Sequence, residues 1–131
     1  MVRWADWVGQ ADAEFRAAEC LLAGACHAWC CFTCQQAAEK ALIGLVDHLA
    51  MAQSGHSLRE LLNEVGRHVS VPPDVFEAAR RLNRYYIPTR YPDAHPSGVP
   101  ADQYAEADAL SAVEDARAVL DFTRTQLPPA V

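Results

Sequence analysis

In the stretch "RYYIPTRYPDAHPSGVP", residues 84 to 100, Arg90 and His95 stand five positions apart among prolines and tyrosines. An arginine offers a planar, permanently charged fork that matches phosphate oxygens, and a histidine can give or take a proton near neutral pH. Arg80, Arg81, Arg84 and Arg90 fall between Ala78 and Pro92 with no acidic residue among them. The sequence has no GxxxxGK[ST] loop and no dinucleotide-type glycine run, so any recognition of phosphate has to come from these arginines. Three readings compete for the loop: an enzyme site, a binding site, or a structural corner in which Arg90 pairs with Asp93 or caps a helix.

A second cluster, "CHAWCCFTC", tempts toward a metal. Cys26, Cys30 and Cys34 follow one another at four-residue steps, with His27 beside them. Zinc is usually wrapped by closely spaced ligand pairs from two elements, which a straight helical row does not supply. Free cysteine behaves as a small hydrophobe, so packing in a core is the expectation here and no metal is assigned. His48, His56 and His68 stand in unrelated contexts, and no serine or cysteine pairs with them in a readable nucleophile pattern.

The elements that must position these residues are helical throughout. Trp4, Trp7, Val8, Ala11, Phe15, Ala18 and Leu22 form the apolar stripe of a first helix, with a stop and turn around Gly24. A long second helix is expected from about Cys26 to about Met51. Its stripe is Cys26, Cys30, Cys34, Ala37, Ala41, Leu45 and His48, flanked by Cys31, Ala38, Leu42, Val46 and Leu49. Ser57 and Glu60 make a capping box for a third helix, Leu58 to about His68. Pro72 and Pro73 suit the entrance of a fourth, whose face is Val75, Ala79 and Leu82. Ala109, Val113, Ala116, Leu120 and Leu127 define the last. No segment alternates with period two. Short connections between long amphipathic helices predict an all-α, antiparallel up-and-down bundle of about five helices, one domain over residues 1–131.

Composition narrows the class. The chain has 131 residues, 51% of them hydrophobic, and a net charge of -6. That length and balance favour a globular domain. The acidic total argues against general nucleic-acid binding, which leaves a local basic patch as the place for any such contact. No stretch reaches the roughly 18 apolar residues of a membrane span, and the N-terminus lacks a signal-peptide pattern. Five cysteines crowded into residues 20–34 cannot all pair, so reduced thiols and a cytoplasmic setting are expected.

"QQAAEKAL", then "GHSL", then "RYPD", in this order and at these separations, resembles the HEPN domain family over roughly residues 4 to 125. The resemblance implies a small helical bundle that commonly dimerises, alone or beside a minimal nucleotidyltransferase partner. Many members are metal-independent ribonucleases, often toxins, marked by an Arg-x4-6-His motif brought together across the dimer. Arg90 and His95 match that motif. On this reading His95 acts as general acid or base toward a 2'-hydroxyl, Arg90 stabilises the phosphorane oxygens, and no cofactor is required. Other members bind nucleotides or RNA without cleaving. In that alternative, Arg80, Arg84 and Arg90 contact phosphate, Tyr85, Tyr86 and Tyr91 offer stacking faces, and Asp93 belongs to the same site. The patch also suits an acidic surface on a nucleotidyltransferase. All three need the same residues.

Overall fold

Apolar spacing of three and four residues builds α1, Trp4–Ala23, and α2, His27–His48, as an antiparallel pair. The computed structural model describes residues 3–49 and 57–129. Two backbone bonds close α1: Cys26 N–H donates to Leu21 O at 2.8 Å and Ala25 N–H to Leu22 O at 3.1 Å. That turn requires one left-handed residue. It falls on Ala25, with φ of 59°, while Gly24 sits at φ −85°. The stop lies where the sequence puts it, but the glycine comes one residue too early to relieve the strain.

Helix α2 is the centre of the bundle. Both of its apolar rows are buried, Cys30, Cys34, Ala37, Ala41 and Leu45 on one and Cys31, Ala38, Leu42 and Val46 on the other. A helix apolar around much of its circumference needs neighbours on several sides, and α1 and α5 cover most of it. Gly44 lets α1 approach: a Cβ there would lie 3.1 Å from Trp7 Cβ and 3.2 Å from the Trp4 carbonyl. Cys26, expected to begin the buried row, is instead the exposed N-cap residue. The helix ends at His48; Met51, to which its periodicity extends, and His56 lie outside the described residues.

Ser57 caps α3, Leu58–Val65, by accepting from Glu60 N–H at 3.1 Å. Asn83 Oδ1 takes a second free donor of this helix end, Leu58 N–H, at 3.2 Å. The helix stops at Val65, short of His68. Gly66 follows, and tighter turn bonds from Arg67 and His68 draw Val69 and Val71 back onto the core. Pro73 opens α4, Pro73–Asn83, and Asp108 accepts from Ala105 N–H at the start of α5, Glu106–Thr125. Leu127 lies just past the end of α5 and packs on the core from there. Arg81 on α4 holds Asp115 on α5 through two bonds of 3.0 and 2.9 Å. Five α-helices and no strand are found among the described residues, the all-α bundle read from the sequence.

Cys30, Cys31 and Cys34 are fully buried. Burial pushes the Cys31 thiol up to about 12. A hydrogen bond shared with Cys30, together with burial, pushes Cys34 upward as well. The same bond lowers Cys30, while Cys31 and Cys34 stay protonated and serve as packing groups, since it is the thiolate that binds metal or attacks.

Candidate functional site

Past the end of α4, with Arg84 as its cap, four consecutive carbonyl groups need donors. Thr89 Oγ1–H donates to Tyr85 O at 2.6 Å. Arg90 donates from Nε and Nη2 to Tyr86 O at 2.9 and 2.6 Å. Ile87 O accepts from the backbone N–H groups of Arg90 and Tyr91. His95 Nε2 lies 2.6 Å from Pro88 O. A carbonyl can only accept, so Nε2 carries the proton, and Nδ1 is the nitrogen left for other work. Prolines at 88, 92, 96 and 100 cannot donate from the backbone, which is why side chains of the loop take over that task. Arg90 and His95 thus grip the same short segment, residues 86 to 88, from two directions.

Arg90 is also enclosed by rings. Its guanidinium carbon sits 4.2 Å from the centroid of Phe32 on α2, 4.7 Å from Tyr86 and 5.0 Å from Tyr91. Trp29, one turn earlier on α2, meets Phe32 edge-on at 6.1 Å. No carboxylate pairs with Arg90 among the described residues; Asp93 stays exposed in a short 3-10 turn, Pro92–Ala94. The corner that the structural reading expected is therefore made through the Tyr86 carbonyl. Tyr86 and Tyr91 remain 45% and 46% exposed, enough ring surface to stack on a ligand.

The other candidates separate from this centre. Arg80 points along α4 and is held by Glu77 at 2.6 Å. Arg84 is exposed and, among the described residues, makes a 3.5 Å contact to Arg81 O. Tyr85 turns inward and meets Tyr104 at 5.9 Å, and burial raises its hydroxyl to about 12. The opposite edge of the loop is closed by Tyr104, which also meets the His95 ring at 6.1 Å. Tyr86, Arg90 and Tyr91 thus form one group and His95 with Tyr104 another, joined by residues 86 to 88.

A cleft of ≈ 480 Å³ opens beside that segment, with Tyr86, Ile87 and Pro88 along one side and Gln35, Glu39 and Asn83 on the other. Sequence reasoning missed Phe32, Gln35 and Tyr104. The first carried a readable signal: Trp29, Phe32 and Gln36 recur at helical steps off the buried stripe of α2, a second face that includes two aromatics the core does not claim.

The HEPN domain pattern matches residues 4–126 of the chain. Solved structures agree. The crystal structure of TT1696 from Thermus thermophilus is 44% identical, with a TM-score of 0.93 over 97% of this chain and 100% of that one. ST0689, described as an archaeal HEPN homologue, is 33% identical, with a TM-score of 0.82 over 96% and 98%. An HEPN domain protein from Thermotoga maritima, TM0613, is 26% identical, with a TM-score of 0.76 over 92% and 95%. No curated protein matches.

Proposed function

The chain belongs to the HEPN domain family, and from that premise we propose that it binds single-stranded RNA or a nucleotide at the box around Arg90. One observation carries this reading. Arg90 is fixed in place by a carbonyl and three rings yet has no carboxylate to neutralise it among the described residues. Arginines spent on structure normally meet an acid, as Arg81 does at Asp115. Here the charge stays available to a phosphate, and the half-exposed rings of Tyr86 and Tyr91 are available to a base. Arg84 extends the cation along the same loop.

Ribonuclease activity is the second reading, favoured by the placement of His95. Its Nε2–H is committed to Pro88 O, so the ring is held at a fixed tautomer with Nδ1 unshared among the described residues. A general base needs that lone pair. Completing the site across a homodimer, and pairing with a minimal nucleotidyltransferase, belong to this reading as well.

The test is RNA affinity and cleavage with purified protein in EDTA. Arg90→Ala should weaken binding at least about tenfold, and Arg90→Lys should restore little of it, because an ammonium cannot copy the forked contact. His95→Ala should keep affinity and lose cleavage. Unchanged binding in Arg90→Ala would overturn the assignment.

A further inference from the structure

The cleft beside the Arg90 box is built around a buried side chain whose hydrogen-bonding capacity is left over. Gln35 is 1% exposed. Its orientation is set by a relay along α2. Lys40, paired with Glu14 at 2.8 Å, can only donate, and its Nζ lies 3.4 Å from Gln36 Oε1. The amide nitrogen of Gln36 therefore faces the other way and donates to Gln35 Oε1 at 2.7 Å. Gln35 is left with its own NH2 group, bonded to none of the described residues, on the wall of the cleft. Asn83 repeats the arrangement. Its Oδ1 is taken by Leu58 N–H, which leaves its NH2 group as a second donor. Neither amide nitrogen is sealed away from the cleft, so both NH2 groups stand open to it as donors that a ligand can take up.

Resting on the RNA-binding reading, we propose that this cleft seats one base of the bound strand, stacked on Tyr86, with Gln35 and Asn83 donating to carbonyl acceptors on its edge. The volume, ≈ 480 Å³, suits a nucleoside-sized ligand. Tyr86 belongs to both halves of the site, walling the cleft and lying under the Arg90 guanidinium. A base in the cleft thus places its phosphate toward Arg90. Two amide donors match guanine, whose O6 and N7 accept side by side, or uracil, with O2 and O4; adenine accepts at its ring nitrogens but sets its own N6 amino donor beside N1 and N7, which opposes a second donor.

The experiment compares GMP, UMP and AMP by calorimetric titration against wild type, Gln35→Leu, Gln36→Leu and Ile87→Trp. Wild type should take GMP and UMP about fivefold or more tighter than AMP, the loss expected when one buried donor goes unmatched. Gln35→Leu should erase that preference. Gln36→Leu touches no ligand but frees the Gln35 amide to turn, so the preference should shrink while the melting temperature and Arg90-dependent RNA affinity hold. Ile87 is 46% exposed, so Ile87→Trp can fill the cleft without disturbing the core, and it should remove the preference even if Gln35→Leu fails to fold. An unchanged GMP-to-AMP ratio in the folded variants, with RNA still bound through Arg90, overturns this inference alone. Failure of wild type to bind the mononucleotides and a short single-stranded RNA overturns the RNA-binding reading and this inference with it.

Discussion

The α1 side of the bundle and the 84–105 loop treat charge in opposite ways. Around α1, cations meet acids across helices: Lys40 with Glu14, Arg124 with Asp12, Arg117 with Glu19. In the loop, Arg90 is surrounded by rings and a carbonyl, and its charge is left uncancelled among the described residues. The same contrast separates two arginines nine positions apart, Arg81 on its buried acid and Arg90 in its box. An arginine opposite a carboxylate is spent on joining helices. One held by neutral groups keeps its field for a partner, which is how a chain of net charge -6 can still present a cationic site.

Catalysis gives the largest test of that contrast. On the ribonuclease reading, His95→Ala should lower RNA cleavage by about 10²–10⁴-fold, the range for loss of a general acid or base. That reading also requires a dimer, which analytical ultracentrifugation should show in wild type and variant alike; a wild-type monomer at micromolar concentration would sink the composite site. Unlike an Arg90 change, Arg81→Ala should keep RNA affinity while stability falls. It strands Asp115, whose side chain is 9% exposed, for a loss of about 2 kcal/mol in urea unfolding. The figure sits below that of a fully buried pair because the Arg81 side chain is 39% exposed. Arg90→Ala removes two charged bonds to Tyr86 O and three ring contacts, so it too should cost about 1–2 kcal/mol, but with RNA affinity lost as well.

Smaller effects sharpen the comparison on the packing side. Gly44→Ala forces a Cβ against Trp7 and the Trp4 carbonyl and should cost about 1–2 kcal/mol, with RNA binding untouched. Alkaline pH should erode the core gradually. Cys31 has an ordinary value of 9.0 and a folded value of about 12, so its proton is held more tightly in the native state. Its contribution is complete below pH 9 and is lost as pH rises toward 12; Tyr85 adds a window from 10.0 to about 12. Melting temperature against pH should therefore fall across that span, less steeply in Cys31→Ala. Smallest is Ala25→Gly. Relief of a left-handed alanine should outweigh the added freedom of the unfolded chain and raise stability by about 0.5 kcal/mol.

Helix number, order and most boundaries follow from apolar spacing, and that signal is local. A stripe at three- and four-residue steps has to be buried whichever neighbour covers it, so Leu42, Leu45, Leu82 and Ala116 are committed to a core before any contact is known. Capping is equally local, as Ser57 with Glu60 illustrates. The motif from Arg90 to His95 is also present in the sequence as a spacing. What the spacing does not contain is the set of neighbours that decides its use. Phe32 lies 58 positions before Arg90, and only the packing of the loop on α2 brings its ring to 4.2 Å from the guanidinium. Local pattern likewise cannot reveal that Tyr85 turns inward, or that Lys40, fixed by Glu14 on another helix, orients Gln35 through Gln36. Burial is dictated by residue type and period along the chain. Whether a charge is cancelled or an amide left over depends on which groups the folded chain sets within about 3 Å of it, and that is a property of the tertiary structure alone.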